Sequence, residues 1–127
     1  MKKTIVVMAT IAMALGTAPS AFAHAQISSS YPKNGSIVKT WPDRIWAEFD
    51  GNLIQIPGKS VNQMVITDSK GKQVALKSFS VGGARLTAFT EKAATSGKIT
   101  VTNRVVSEDG HPVIRIFTFF YNPKKDR

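Results

Sequence analysis

Three residues carry side chains that could bind one metal ion together: His24, Asp109 and His111. His24 and His111 are the only histidines of the chain, and cysteine is absent. Thiolate zinc sites, iron–sulfur clusters, disulfide bonds and a cysteine nucleophile are therefore excluded. Asp109 and His111 lie two positions apart, and side chains at that spacing point the same way in an extended segment. The sequence thus predicts that a carboxylate and an imidazole are presented together.

The first 23 residues have the pattern of a secretory signal peptide. Two lysines near the start precede an apolar run, Thr4–Leu15, and the A-x-A sequence at 21–23 is typical of a cleavage site. The apolar run is shorter than the roughly 20 residues that span a bilayer, although an uncleaved anchor and a cut after Ser20 stay open as alternatives. We predict cleavage after Ala23, which leaves a domain of residues 24–127 in the periplasm or outside the cell.

Cleavage at that position would give His24 a free α-amine beside its own imidazole. Such an amine titrates near about 7.7–8.0, so a metal ion displaces its proton around neutral pH. Both nitrogens of His24, with Asp109 and His111, would form a mixed nitrogen and oxygen donor set, which favours Cu(II) over nickel or zinc. The alternative is that Asp109-Gly110 is an ordinary hairpin turn and that neither histidine binds metal.

Strands and turns, rather than helices, must position these residues. The sequence has no sustained helical apolar period, and alternation of apolar and polar residues dominates. We predict a hairpin that joins strand 63–67 to 74–76 through a turn at 68–71. Further strands are predicted at 45–49, 86–89, 98–106 and 113–121, and further turns at 32–35, 56–58, 82–83 and 109–110. Six or seven strands predict an all-β domain, either a small antiparallel Greek-key barrel or an immunoglobulin-like sandwich.

Most aromatic residues, together with Met64, are predicted to pack in the core, because a domain this small needs apolar area. Tyr31 and Tyr121 are expected in the core or at its rim. The predicted core aromatics are Trp41, Trp46, Phe79, Phe89, Phe117, Phe119 and Phe120.

The basic charge of the chain is scattered along the sequence. Lysine and arginine number 17 against 8 acidic residues, a formal charge of +9. Removal of Lys2 and Lys3 with the signal lowers this charge to +7. Nucleic-acid binding is not expected, because it calls for a basic stripe with interleaved aromatics. Contact with anionic lipid headgroups or an acidic cell-wall polymer stays open.

Two stretches of the sequence resemble the CopC family of periplasmic copper-binding proteins. The first begins at His24-Ala25-Gln26-Ile27 and continues through 30–35. The second is 105–113, which contains D-G-H-P and is followed by Phe117-Thr118-Phe119. The resemblance covers nearly all of the chain after the predicted signal, and it implies a small Greek-key β-barrel that binds Cu(II) through a histidine brace.

The resemblance also implies a role for each ligand. His24 would supply its amine and imidazole, His111 its imidazole, and Asp109 would bind axially or close by, with one Cu(II) per chain. The family is associated with copper homeostasis, resistance, trafficking and uptake, the last through an inner-membrane partner of the CopD type. The resemblance therefore predicts a soluble copper carrier or buffer rather than an enzyme.

Four positions depart from the family pattern. Met64 is the only methionine after the predicted signal, so a thioether Cu(I) site is not expected. Asp50 is shifted by one position from an acid that the family often carries, and it is expected to be a turn residue rather than an outer partner of the site. Arg115 replaces a glycine; it would oppose the metal or recruit an anion there, but we expect it on the outer surface. Asn103 replaces a tryptophan.

Two functions of other classes stay open from the sequence. A histidine brace could support oxygen chemistry in a copper-dependent oxidase or oxygenase, although this small chain lacks room for a broad substrate face. The domain could also be a metal-free β-sandwich interaction module in which the D-G-H turn is accidental.

Overall fold

A computed structural model describes residues 25–123 of the chain. His24 and the predicted signal segment 1–23 lie outside the described residues, as do residues 124–127. The described part contains eight strands: β1 (Ile27–Tyr31), β2 (Ile37–Val38), β3 (Ile45–Phe49), β4 (Gln63–Thr67), β5 (Leu76–Gly82), β6 (Arg85–Thr90), β7 (Gly97–Val106) and β8 (Pro112–Tyr121). Within residues 25–123 no helix is both long and apolar enough to cross a bilayer.

The strands form two four-stranded sheets that enclose one core. One sheet has the order β1-β3-β6-β5, and the other has the order β2-β8-β7-β4. Neighbouring strands are antiparallel, apart from the short parallel pair of β2 and β8. The all-β prediction is confirmed, and of the two predicted architectures the open sandwich forms, since the sheets do not close into a barrel.

Alternation along the strands decides which residues fill the core. In β3, Ile45, Ala47 and Phe49 are buried, as their spacing predicts. The same period of two buries Phe117 and Phe119 on β8. Each large apolar side chain that is removed from water contributes about 1.5–3 kcal/mol. Met64 belongs to this core and is only 4% exposed, which confirms its predicted place.

Phe89 and Phe120 correct the prediction that they pack in the core. They are 36% and 40% exposed, whereas their neighbours Ala88 and Phe119 are fully buried. Because successive side chains of a strand point to opposite faces, a phenylalanine beside a buried residue must point outwards. The prediction is wrong for Trp46 too, which lies between the buried Ile45 and Ala47 on β3 and points to the outer face. The prediction used residue type alone and did not take the position of each aromatic residue in its strand into account.

The predicted hairpin between 63–67 and 74–76 forms only in part, and Gln73 bridges Thr67 in antiparallel register. The turn at 68–71 forms, and Val74 donates its backbone N–H to the carbonyl of Ile66 at 2.8 Å. Leu76, however, starts a strand that pairs with β6 in the opposite sheet. A tight turn after Gly82 joins β5 to β6, with Gly83 at φ +60°. In this hairpin β5 pairs with β6 rather than with β4, the partner that the sequence pattern predicts.

Asp68 organises the turn that follows β4. Its Oδ1 accepts hydrogen bonds from the backbone N–H groups of Lys70 at 2.8 Å and Lys72 at 2.9 Å, and its Oδ2 accepts one from the Thr95 hydroxyl at 3.3 Å. These bonds, first of all the one from Lys72, lower the pKa of Asp68 below its ordinary value of 3.8. The ionised carboxylate therefore fits this turn better than the protonated form does.

Replacing Asp68 with alanine is expected to lower the thermal unfolding midpoint at neutral pH. A lowered pKa contributes stability that is present above the unfolded pKa and is lost as the pH falls through the folded pKa. The difference between the two proteins should thus shrink on acidification. Circular dichroism melts from pH 7 down to about pH 2 would measure it, and a difference that stays constant with pH would contradict the role of the ionised carboxylate.

Candidate metal centre

The turn between β7 and β8 carries the two described residues of the predicted site. β7 ends at Val106, which lies opposite Pro112 at the start of β8. Between them, Gly110 donates its backbone N–H to the carbonyl of Ser107 at 2.8 Å. Gly110 has φ +82°, a conformation that glycine adopts without steric cost. The turn that the D-G sequence predicts therefore forms, and it brings Asp109 and His111 to one end of the sandwich.

The Asp109 carboxylate is held in place by the turn itself. Its Oδ1 accepts a hydrogen bond from the Ser107 hydroxyl at 3.1 Å and another from the backbone N–H of His111 at 2.9 Å. This second bond ties the carboxylate to the backbone of the residue that carries the predicted imidazole ligand. His111 is exposed, as a ligand that receives an ion from solution needs to be.

The chain segment that directly follows His24 passes beside this turn. Ala25 is only 1% exposed. Gln26 donates its backbone N–H to Oδ1 of Asp50 at 3.1 Å, and the backbone N–H of Asp50 donates to the Gln26 carbonyl at 3.0 Å. Ala25, Asp50 and Asp109 line one small cavity of about 210 Å³. Asp50 thus lies at the turn after β3, as predicted, and also anchors the N-terminal segment.

Arg115 corrects the prediction that it lies on the outer surface. Its Nε donates a hydrogen bond to the carbonyl of Ala25 at 2.9 Å. Residues 113, 115 and 117 share the inward face of β8, and the half-buried Arg115 also donates from Nη1 to the Ile114 carbonyl at 3.2 Å. Because Ala25 leads into β1 of the other sheet, this bond connects the two sheets at the end where Asp109 lies.

Asn103 lies directly opposite Arg115 in the register of β7 and β8. Its Nδ2 donates to the Arg115 carbonyl at 3.2 Å, and the residue is fully buried. Within the described part of the chain, its Oδ1 is a buried acceptor without a hydrogen-bond donor. Two of the departures from the family pattern therefore form one polar pair beneath the N-terminal segment.

Replacing Arg115 with methionine is expected to loosen residues 25–27. The variant loses a hydrogen bond from a charged donor, which costs about 1–3 kcal/mol, while the methionine keeps much of the apolar volume. Hydrogen exchange of the Gln26 and Asp50 amides should become faster, and mass spectrometry of peptides would measure it. Arg104→Met is the control, because Arg104 bonds the carbonyl of Val61 instead, at 3.3 Å. Equal exchange at residues 25–27 in Arg115→Met and the unchanged protein would contradict the anchoring role.

Among residues 25–123, no three histidine, aspartate or glutamate side chains converge as a metal-binding group. The third predicted ligand, His24, precedes that range. Sequence reasoning missed Ser107 and Arg115 as residues that position the site. A serine two positions before an aspartate is a recognisable turn signal, whereas the bond from Arg115 to Ala25 joins residues that are distant in sequence and leaves no local pattern.

Comparison with known proteins identifies the family. The sequence-family model of the CopC domain matches residues 27–122, which is most of the chain. The chain belongs to the CopC family. The match includes the turn with Asp109 and His111 and all strands of the CopC domain described above.

Solved structures of similar sequence share the fold of this CopC domain. CopC from Methylosinus trichosporium OB3b is 26% identical, with a TM-score of 0.66 over 82% of this chain and 99% of that protein. PcoC, a methionine-rich copper resistance protein from Escherichia coli, is 27% identical, with a TM-score of 0.65 over 79% of this chain and 100% of that protein. No curated protein sequence gives a significant match to the chain. The family and these neighbours support a function that involves copper.

Proposed function

We propose that this CopC-family protein is a periplasmic carrier or buffer of Cu(II), formed by residues 24–127 after cleavage of a signal peptide at 1–23. The observation that carries the proposal is the shared cavity of about 210 Å³ between Ala25 and the turn with Asp109. Ala25 directly follows His24 in the chain, so a free amine at His24 would begin next to that turn. The CopC-domain match supports copper as the ion.

The proposed ligands are the amine and imidazole of His24, the imidazole of His111 and the carboxylate of Asp109. These nitrogen and oxygen donors suit Cu(II). They are less suited to Cu(I), which prefers thioether and thiolate sulfur. The solved neighbour PcoC is described as methionine-rich, whereas Met64, the only methionine of the proposed domain, is buried in the core of this chain. The proposal is therefore one Cu(II) ion per chain and no thioether site.

Copper is cargo in this proposal, and the protein performs no catalytic step. The residues bind the ion, hold it in the oxidised state by their nitrogen and oxygen donors, and release it to a partner. The proposed partner is an inner-membrane copper transport protein of the CopD type, which the resemblance to the CopC family suggests. A site at one end of the sandwich, on an exposed turn, is suited to transfer because a partner can reach it without unfolding the domain.

Intact-protein mass spectrometry of the exported protein, with and without Cu(II), tests the proposal. The expected mass begins at His24, and one copper ion should be added under native conditions. Zn(II) at the same concentration should bind more weakly. A protein that begins at His24 but takes up no copper would contradict the ligand set, and a chain that begins elsewhere would contradict the predicted cleavage.

A further inference from the structure

The outer face of the sheet β2-β8-β7-β4 carries an apolar strip. Alternation on β8 points Ile114, Ile116 and Phe120 outwards, and Ile37 of β2 lies beside Phe120 in the register. Their exposed fractions are 58%, 57%, 40% and, for Ile37, 65%. Thr118 lies between Ile116 and Phe120 on this face. The strip therefore consists of two exposed apolar pairs, Ile114 with Ile116 and Phe120 with Ile37, of the kind that marks an interaction surface.

Cations flank the apolar strip on the next strand. Arg104 lies opposite Ile114, and Lys98 lies opposite Phe120, so one positive charge stands beside each end of the strip. Thr102 and Thr100 lie between these two residues on the same outward face of β7. The four described strands of this sheet contain no aspartate or glutamate. The strands of this face are therefore apolar and basic, with hydroxyl groups. Glu108 and Asp109 carry carboxylates in the turn at one end of it.

The outer face of the other sheet is different, because it contains an ion pair. Arg85 of β6 makes an ion pair of 2.7 Å with Glu48 of β3. The same guanidinium lies 3.8 Å from the centre of the Trp46 ring and covers part of it. The described strands of this second sheet carry one carboxylate, Glu48, and two cations, Arg85 and the exposed Lys77. The first sheet carries cations alone, so the two sheets differ in charge.

We propose that the face with the apolar strip binds the surface of an anionic phospholipid bilayer. Apolar side chains that project from a rigid surface enter the boundary between headgroups and acyl chains. Lysine and arginine are attracted to the negative surface potential of anionic lipids. A face with cations at both ends and no carboxylate on its described strands complements a uniformly negative surface better than the mixed charges of a typical protein partner.

Membrane docking of this face would bring the predicted copper turn close to the lipid. Ile114 follows His111 by three positions at the start of β8, so that turn lies at one end of the strip. This consequence rests on the proposed function, whereas binding to lipid does not. The two can therefore fail separately, because lipid binding is measured without copper.

Vesicle co-sedimentation tests the proposal. All eight strands lie within residues 25–123, so the chain from His24 onwards contains the whole sandwich and avoids the apolar signal segment. It should bind vesicles of phosphatidylcholine with phosphatidylglycerol more tightly than vesicles of phosphatidylcholine alone, and the binding should weaken as salt screens the charges. Ile114→Ser with Ile116→Ser should weaken partitioning at least about tenfold.

The charge variant gives an independent arm. Each surface cation is worth about a fivefold change in partitioning, so Lys98→Gln with Arg104→Gln should weaken binding to anionic vesicles by roughly 25-fold. Lys77→Gln with Lys92→Gln removes the same net charge from exposed positions outside this face and should have little effect. Phe89→Ser is the matched apolar control, since Phe89 is 36% exposed on the other sheet.

Several results would overturn the proposal. These are no binding to anionic vesicles, equal binding to neutral ones, and equal losses in the control and test variants. Self-association that the isoleucine variants abolish would assign the strip to a second copy of the chain. Binding only to native membranes, lost after protease treatment, would assign the strip to a membrane protein. Circular dichroism must confirm that each variant is folded.

Discussion

One residue added in front of His24 is expected to weaken Cu(II) binding on the order of 100-fold, or about 2.7 kcal/mol. In the extended chain the nitrogen of His24 becomes an amide and no longer pairs with its own imidazole in a chelate ring. The new terminal amine lies one residue farther from the turn with Asp109 and His111. Competition titration against a Cu(II) chelator of known affinity would measure the change.

Two further proteins sharpen this experiment. Acetylation of the His24 amine removes the donor without lengthening the chain and should give a similar loss. A residue added after Arg127 keeps the amine and should leave the affinity unchanged. If the extended or acetylated protein bound Cu(II) as tightly as the unmodified one, the chelate at His24 would be ruled out, whatever the fold of the domain.

His111→Ala, in the chain that begins at His24, is expected to remove most of the Cu(II) affinity, again on the order of 100-fold. The substitution is specific for the imidazole, because the hydrogen bond to Asp109 is donated by the backbone N–H of His111, which alanine keeps. The turn, which is closed by the bond from Gly110 to Ser107 at 2.8 Å, should therefore persist. Electron paramagnetic resonance of the Cu(II) protein would report the loss of one coordinated nitrogen.

Ser107→Ala is the matched control for His111→Ala. It removes the hydroxyl that donates to Asp109 at 3.1 Å but no proposed ligand. Loss of such an orienting group typically changes metal affinity by about 10–100-fold, without altering the number of coordinated nitrogens. An unchanged nitrogen signature in His111→Ala would show that the second imidazole does not bind the ion.

The sequence predicts strand faces better than it predicts strand partners. The burial of Ile45, Ala47 and Phe49 follows from a period of two, which is local information. The chain after the turn at 68–71 pairs with β4 as far as Val74 and then, from Leu76, pairs with β6 in the opposite sheet through the turn after Gly82. Both turns form, so turn composition could not decide which strands pair. Phe89 and Phe120 show the same limit, because hydrophobic type predicted burial where alternation dictates exposure.

The candidate site divides in a similar way. Asp109 and His111 could be placed in one turn from the sequence, since two residues of separation and the D-G pair are local signals. The hydrogen bond of Arg115 to the Ala25 carbonyl joins positions 90 residues apart in the sequence, so no local pattern predicts it. The role of His24 stays a prediction, because His24 lies outside the described residues.

The fastening of residues 25 and 26 to both sheets has a thermodynamic consequence. Asp50, after β3, accepts a hydrogen bond from Gln26, and Arg115, on β8, donates one to Ala25. The N-terminal segment, which would ordinarily fray first, therefore links the two sheets. A ligand that binds only the folded state raises the free energy of unfolding as its concentration rises above its dissociation constant. Copper bound at the adjoining His24, as proposed, would thus stabilise the whole domain against unfolding, and the melting temperature would rise with the fraction of protein that holds the metal.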